Sequence, residues 1–194
     1  LFPKKCGHMK GKQVISVEEM VKKIEAAVKA RSDPDFVINA RTDAIAVYGV
    51  EEAVRRGNAY ARAGADLIFV EAPPDLETVK YLVDKIKAPV SINMLEGKAL
   101  SVTVKELEKI GVARVNVPVA TIFAAAKAIT KVLQTFKAEG STQNCQSEMV
   151  SFDEFAEIVG KPKWNEMELL FLTEEEIGAR YGGREMLENE IKKS

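Results

Sequence analysis

The densest chemistry in this chain lies at its start. Lys4-Lys5-Cys6-Gly7-His8 puts the only histidine two residues from one of only two cysteines, next to a pair of lysines. The thiolate is the reactive form of cysteine, and a positive field from Lys4, Lys5 and His8 favours it. Gly7 has no Cβ, so the backbone there can approach a ligand closely. On an extended backbone Cys6 and His8 share a face, because successive side chains alternate. The segment therefore reads as a chemical site. The alternative is a solvated basic stretch that happens to hold both residues.

Such a segment needs elements to position it, and the sequence after Ser16 supplies them in a regular series. Ser16-Val17-Glu18-Glu19 is a capping box, and Met20, Ile24, Ala27 and Val28 mark one face of a helix running to about Arg31, where Asp33-Pro34 stops it. The run from Phe36 to Ala40 is too short for a helix and rich in apolar residues, which predicts a buried strand, with Phe36 in the core; Arg41-Thr42-Asp43 follows it directly. Three more such units follow. A helix from about Val50 to Ala63 leads to the strand Leu67 to Val70, which ends at Glu71. A helix from Asp75 to about Lys87 leads to Pro89 to Asn93. A shorter helix opened by the capping box Thr103 to Glu106 leads to Ala113 to Val117. Strand ends recur at about 20 to 30 residues, the length of one βα unit, which predicts a parallel sheet. Four such units are half of a (β/α)₈ barrel or most of a doubly wound sheet.

In either architecture ligands bind at the carboxyl ends of the strands. The polar residues stationed there are Arg41, Asp43, Glu71, Asn93 and Glu96. Arg41 carries a planar cationic fork suited to a carboxylate, Glu71 can take or hold a proton, and Asn93 can donate to an oxyanion. With Cys6 they describe a pocket for a small anionic substrate. Each also has a structural reading: Arg41 could pair with Asp43, Glu71 with a lysine, and Asn93 could be a turn residue.

Composition bounds the rest. With 194 residues and 46% hydrophobic content the chain can bury a sizeable core. A formal net charge of −1, with acids and bases mixed along the length, gives no field for capturing nucleic acid or an anionic membrane. Cys6 and Cys145 make no disulfide framework, and there is no secretory h-region or apolar run of spanning length, so a reducing cytoplasm is the expected location. Cys145 lies in a polar stretch, Gly140 to Ser147, that reads as a linker with an incidental loop thiol. A long alanine-rich helix, about Thr121 to Lys137, precedes it. Beyond it, Ser151 to Ser194 has two further capping boxes, at Ser151 and Thr173, and an exposed-looking apolar cluster of Trp164, Met167, Leu169, Leu170, Phe171 and Leu172. Residues 1–140 and 141–194 are thus the expected divisions, the second packing on or swapped with a neighbouring subunit.

Lys4-Lys5-Cys6-Gly7-His8, Gly11-Lys12, Asp33-Pro34-Asp35-Phe36, Ala40-Arg41-Thr42-Asp43, Ala63-Gly64-Ala65-Asp66, Phe69-Val70-Glu71-Ala72 and Asn93-Met94 with Glu96-Gly97 together resemble the isocitrate lyase and phosphoenolpyruvate mutase superfamily, in particular its methylisocitrate and dimethylmalate lyase type. The resemblance covers roughly residues 3 to 160. It implies a (β/α)₈ barrel of which this chain holds the C-terminal half, a Mg²⁺ cofactor, and a homo-oligomer, usually a tetramer with a swapped helix. It also implies cleavage of a C–C bond in a 2-hydroxy di- or tricarboxylate through an enolate. Carried over, Cys6 is the general acid/base of a loop over residues 4–15, and Gly7, His8, Arg41, Glu71 and Asn93 bind substrate.

Three departures accompany the resemblance. The family's metal carboxylates are expected upstream of Leu1, so that the chain supplies about four of eight barrel strands. Phe123 and Phe152 stand where tricarboxylate-specific members carry arginines, which favours a smaller or less charged substrate. Leu95 replaces a hydroxyl residue common in methylisocitrate lyases. Phosphonate P–C chemistry, oxaloacetate hydrolysis, a thioester on Cys6 and a noncatalytic half-barrel module are the competing readings.

Overall fold

In the computed structural model, residues 1–7, 9–95 and 102–191 are described. His8 and Glu96 lie outside them, and so do the sequence expectations attached to these two residues. The contacts divide the chain into two compact units, Leu1–Ala124 and Ala125–Ser194.

The first unit is built on four short parallel strands, β1 (Asn39–Thr42), β2 (Leu67–Val70), β3 (Val90–Asn93) and β4 (Arg114–Asn116), in the spatial order β1-β2-β3-β4. Helix α1 (Val17–Ala30) precedes β1. The short α2 (Ile45–Tyr48) and α3 (Val50–Arg62) connect β1 to β2, α4 (Leu76–Lys85) connects β2 to β3, and α5 (Val104–Lys109) precedes β4. Each strand pairs with the one before it in sequence and the order never reverses. A doubly wound sheet turns back at a switch point, whereas a barrel adds strands in one direction. The run is therefore that of a partial (β/α)₈ barrel.

Period-2 alternation sorts the strand residues by face. Ala40, Ile68, Val70, Val90 and Ile92 join Ala53, Tyr60, Val79, Leu82 and Leu107 from α3, α4 and α5 in one buried core, which fixes the sheet against its helices. The opposite register carries Asn39, Arg41, Leu67, Phe69, Ser91, Asn93, Arg114 and Asn116, a mostly polar face with Leu67 and Phe69 as its large apolar members. The capping signals hold: Ser16, Asp75 and Thr103 each accept a hydrogen bond from the backbone N–H three residues on.

Two expectations are corrected here. The first strand starts at Asn39, and Phe36 is 68% exposed rather than in the core. Side chains take up the backbone of this segment before the ladder begins: Asp66 accepts from Ile38 N–H at 2.8 Å and Arg31 donates to Phe36 C=O at 3.0 Å. The apolar run thus marked the approach to the strand, which itself continues through Arg41 and Thr42.

The long helix α6 (Ala120–Glu139) spans the division between the units. In the second unit the polar stretch is a 3₁₀ turn, Gln143–Glu148. Cys145 is buried there, its Sγ donating to Thr142 C=O at 3.2 Å, so this thiol is a packed residue and not a loose loop thiol. Helices α7 (Phe152–Ile158), α8 (Lys161–Phe171), α9 (Glu174–Tyr181) and α10 (Arg184–Ile191) follow, with Ile177 and Leu187 fully buried and capping boxes at Ser151 and Thr173. Trp164, Leu170 and Phe171 are exposed. Among the described residues no helix is long and apolar enough to cross a membrane.

Candidate active site

The carboxyl ends of the four strands and the segment before α1 enclose a pocket of about 600 Å³, lined by Lys4, Lys5, Cys6, Gly7, Arg41, Glu71, Asn93, Leu95, Pro118, Val119 and Phe123. Five of the residues singled out from sequence, Cys6, Gly7, Arg41, Glu71 and Asn93, are brought together here. The contributions come from the carboxyl ends of the strands: Arg41 one pair before the last of β1, Glu71 just past β2, and Asn93 at the last pair of β3.

The centre is the Arg41–Glu71 ion pair, Nη2 to Oε2 at 2.6 Å. Glu71 is 2% exposed, and its backbone N–H donates to Thr42 C=O, so the ladder extends one step beyond β2 to fix it. The next residue, Ala72, has φ 56°, a left-handed conformation that a residue with a Cβ adopts at a cost; it turns the chain from Glu71 into Pro73-Pro74. Arg41 lies over the Phe69 ring, 5.0 Å from guanidinium carbon to centroid, as the Arg41–Phe69 register dictates. It also donates to Asp43 through Nη2 at 2.9 Å and Nε at 3.3 Å. Burial works against the Arg41 charge, yet the hydrogen bond and charge of Asp43 and the charge of Glu71 outweigh it, and its pKa stands above the ordinary guanidinium value. Burial likewise pushes Asp43 up, but Arg41 and Lys4 outweigh that and hold its carboxyl below the usual range.

The segment carrying Cys6 is anchored onto this pair. Lys4 Nζ meets Asp43 Oδ2 at 2.6 Å, and Lys12 Nζ donates to Gly7 C=O, closing the turn that follows Cys6. Gly7 sits so close that a Cβ there would lie 2.5 Å from Glu71 Cγ and 2.8 Å from Arg41 Nη2. Only glycine fits that approach. Cys6 is exposed to the pocket's solvent side.

Sequence reasoning missed two members. Lys4 was read as a source of field and proves to be a tether. Asn116, at the end of β4, donates through Nδ2 to Asn93 Oδ1 at 3.1 Å, and Asn93 Nδ2 in turn donates to Glu71 Oε2 at 3.4 Å. Hydrogen bonds and ion pairs thus run from Asn116 through Asn93, Glu71, Arg41 and Asp43 to Lys4, crossing all four strand ends. The signal that would have found Asn116 is its register: it is the direct ladder partner of Asn93.

The residues do not form a metal centre by themselves. Among the described residues no group of three or more His, Cys, Asp or Glu side chains is placed to hold a metal ion. What they can do is clamp an anion with Lys4 and Arg41, donate to its oxygens from Asn93, and offer a thiol proton from Cys6, in a pocket also lined by the apolar Leu95, Pro118, Val119 and Phe123.

A strand-by-strand parallel sheet with one polar residue per strand end and a cysteine loop laid across it defines a barrel-type enzyme scaffold. The chain belongs to the phosphoenolpyruvate phosphomutase family, which it matches over residues 4–137. Among its relatives, it is 41% identical over 174 residues to 2,3-dimethylmalate lyase of Eubacterium barkeri, covering 89% of this chain and 60% of that protein. A crystal structure of 2,3-dimethylmalate lyase, described as a PEP mutase/isocitrate lyase superfamily member, superposes with a TM-score of 0.80 at 29% identity, covering 93% of this chain and 60% of that one. A phosphonopyruvate hydrolase in complex with oxalate and Mg²⁺ superposes with a TM-score of 0.72 at 29% identity, covering 85% and 60%. The chain thus spans three-fifths of the length of each of these three relatives.

Proposed function

We propose that this chain carries the cysteine side of the active site of a carbon–carbon lyase, one that cleaves an alkyl-substituted 2-hydroxy dicarboxylate to an α-keto acid and a second carboxylate. The observation that carries this reading is the mixed lining of the pocket: a thiol and a clamped guanidinium share it with the apolar Leu95, Pro118, Val119 and Phe123. A tricarboxylate needs a further cation where Phe123 stands, whereas a methyl-bearing dicarboxylate needs apolar contact there. Phe152, the other aromatic in place of an arginine, is 95% exposed on the second unit.

In this reading Arg41 and Lys4 hold a substrate carboxylate, and Asn93 donates to an oxygen that gains charge as the C–C bond breaks. The hydroxyl gives its proton to water as it becomes the keto group, and the electron pair of the broken C–C bond passes into the departing carboxylate-bearing fragment as an enolate. Cys6 then delivers its thiol proton to the enolate carbon. Glu71 keeps Arg41 aimed, and Gly7 lets the loop close onto the pair. A divalent cation, Mg²⁺, belongs to this proposal on the strength of the solved phosphonopyruvate hydrolase. No step above is routed through it, in keeping with the absence of a metal cluster among the described residues. The reading also makes the chain a subunit of a homo-oligomer, expected to be a tetramer, with the exposed Trp164, Leu170 and Phe171 as contact residues.

The test, with Mg²⁺ and with chelator, is keto-acid release from dimethylmalate, methylisocitrate and isocitrate, oxalate release from oxaloacetate, and consumption of phosphonopyruvate. Cleavage of dimethylmalate, abolished by chelator, is expected. Preferential turnover of phosphonopyruvate would move the assignment to P–C chemistry, and turnover of oxaloacetate alone would move it to hydrolysis. Cys6→Ser should lower turnover by about 10² or more while binding holds. A fully active serine variant would take the thiol out of the mechanism.

A further inference from the structure

We infer that Asn116 is a positioning residue of this site: it sets the orientation of the Asn93 side-chain amide, so that the N–H groups of Asn93 face Glu71 and the pocket. The inference starts from Glu71. Its carboxylate, ion-paired with Arg41 at 2.6 Å, presents acceptor oxygens to β3. The atom of Asn93 that meets it must therefore be the donor, Nδ2, and it stands 3.4 Å from Oε2. An amide is planar, so this choice turns Oδ1 the other way, toward β4.

There the ladder puts Asn116 directly opposite, and its Nδ2 donates to Asn93 Oδ1 at 3.1 Å. Donor and acceptor alternate from strand to strand: Glu71 accepts from the N–H end of the Asn93 amide and Asn116 donates to its oxygen end, so the two partners favour the same orientation. Asn93 and Asn116 are only partly buried. An apolar residue at 116 would leave Asn93 Oδ1 without this donor, and the amide could then turn over within the same heavy-atom outline. Turned over, it sets oxygen against the Glu71 carboxylate and withdraws both N–H groups from the pocket. In the observed orientation one N–H meets Glu71. Among the described residues the second has no acceptor, and Asn93 lines the pocket, so that N–H is available to an oxygen of a bound dicarboxylate.

Taking the pocket as the place where a carboxylate substrate binds rests on the proposed function, but the orientation itself does not, and the experiment separates the two. In the isotopically labelled chain, the Asn93 side-chain NH₂ protons should show nuclear Overhauser contacts to the Glu71 Hγ protons. Asn116→Asp keeps the shape but offers only acceptors, so Asn93 should divide between the two orientations and those contacts should weaken. Asn116→Leu should weaken them by allowing both orientations. Oxalate titrated into the Asn116→Leu chain, which adds no charge, should bind about fivefold more weakly, the effect of one lost hydrogen bond.

If Asn93 keeps its contacts to Glu71 in both variants, Asn116 does not set the amide and the inference falls. If the contacts weaken as expected while oxalate binds neither wild type nor variant, the positioning role stands and the proposed function fails instead. Should Asn116→Asp not fold, judged by the dispersion of its amide spectrum, the leucine variant decides alone by the same contacts.

Discussion

At the scale of single residues, the site is held by close approach and by charge. Gly7→Ala puts a carbon 2.5 Å from Glu71 Cγ, which forces either the ion pair or the loop to move. A loss of about 1–3 kcal/mol is expected, read from the urea midpoint, together with loss of turnover. Asp43 sets a pH dependence. Its folded pKa lies below its unfolded value, so its stabilisation is present above about pH 4 and lost as pH falls through the folded pKa. Asp43→Asn should lower stability at pH 7 by about 1–3 kcal/mol and flatten the stability curve below about pH 4, measured by denaturant titration across pH. Arg41, Glu71 and Asn93 were legible in the sequence because each ends or closely follows an apolar run, where a polar residue is out of place unless it has work to do, and Cys6 because it stands among Lys4, Lys5 and His8. Asn116 was not. It sits in an apolar-polar alternation, Ala113-Arg114-Val115-Asn116-Val117, that looks like any half-exposed strand, and its meaning depends on which residue lies across the ladder.

At the scale of elements, the helix caps and the helix–sheet core decide whether those strand ends exist. Leu82 is fully buried between α4 and the sheet, and Leu82→Ala should cost about 2–5 kcal/mol by calorimetry or urea, with the site lost only through unfolding. Helices and their starts were readable because capping is local: Thr103, Ser151 and Thr173 form capping boxes as their spacing predicts, and Ser16 accepts from the Glu19 N–H. Strand starts were less so. The apolar run from Phe36 looks like strand, yet a salt bridge between Arg31 and Asp66, 35 residues apart, is what holds that backbone. Hydrophobicity reports burial, and here the backbone's partners are charged side chains that no local window contains. The short α2 was missed for a different reason: at four residues, Ile45–Tyr48, it is too brief to show a helical period.

At the scale of the whole molecule, the prediction concerns assembly. Four chains of 21.4 kDa are the expected particle by light scattering, and Leu170→Lys combined with Phe171→Glu should shift it to smaller species by removing apolar contact and adding charge. The choice between barrel and doubly wound sheet was closed to composition, since both are βα repeats; it depended on strand order, which is a property of the sheet. That order has a temporal consequence. The ladder pairs Asn39–Leu67, Ile68–Val90 and Ser91–Arg114 are 28, 22 and 23 residues apart, so every strand finds its partner in the unit just made. Each pairing therefore spans only the one crossover that a parallel pair requires, the shortest separation such a sheet allows. On the ribosome, the site would then be laid down in the order of synthesis, Lys4 and Cys6 first, the Arg41–Glu71 pair once β2 has emerged, Asn93 next and Asn116 last. A chain interrupted after β3 would already hold the ion pair and Asn93, and what it would lack is the Asn116 donor to the amide oxygen of Asn93.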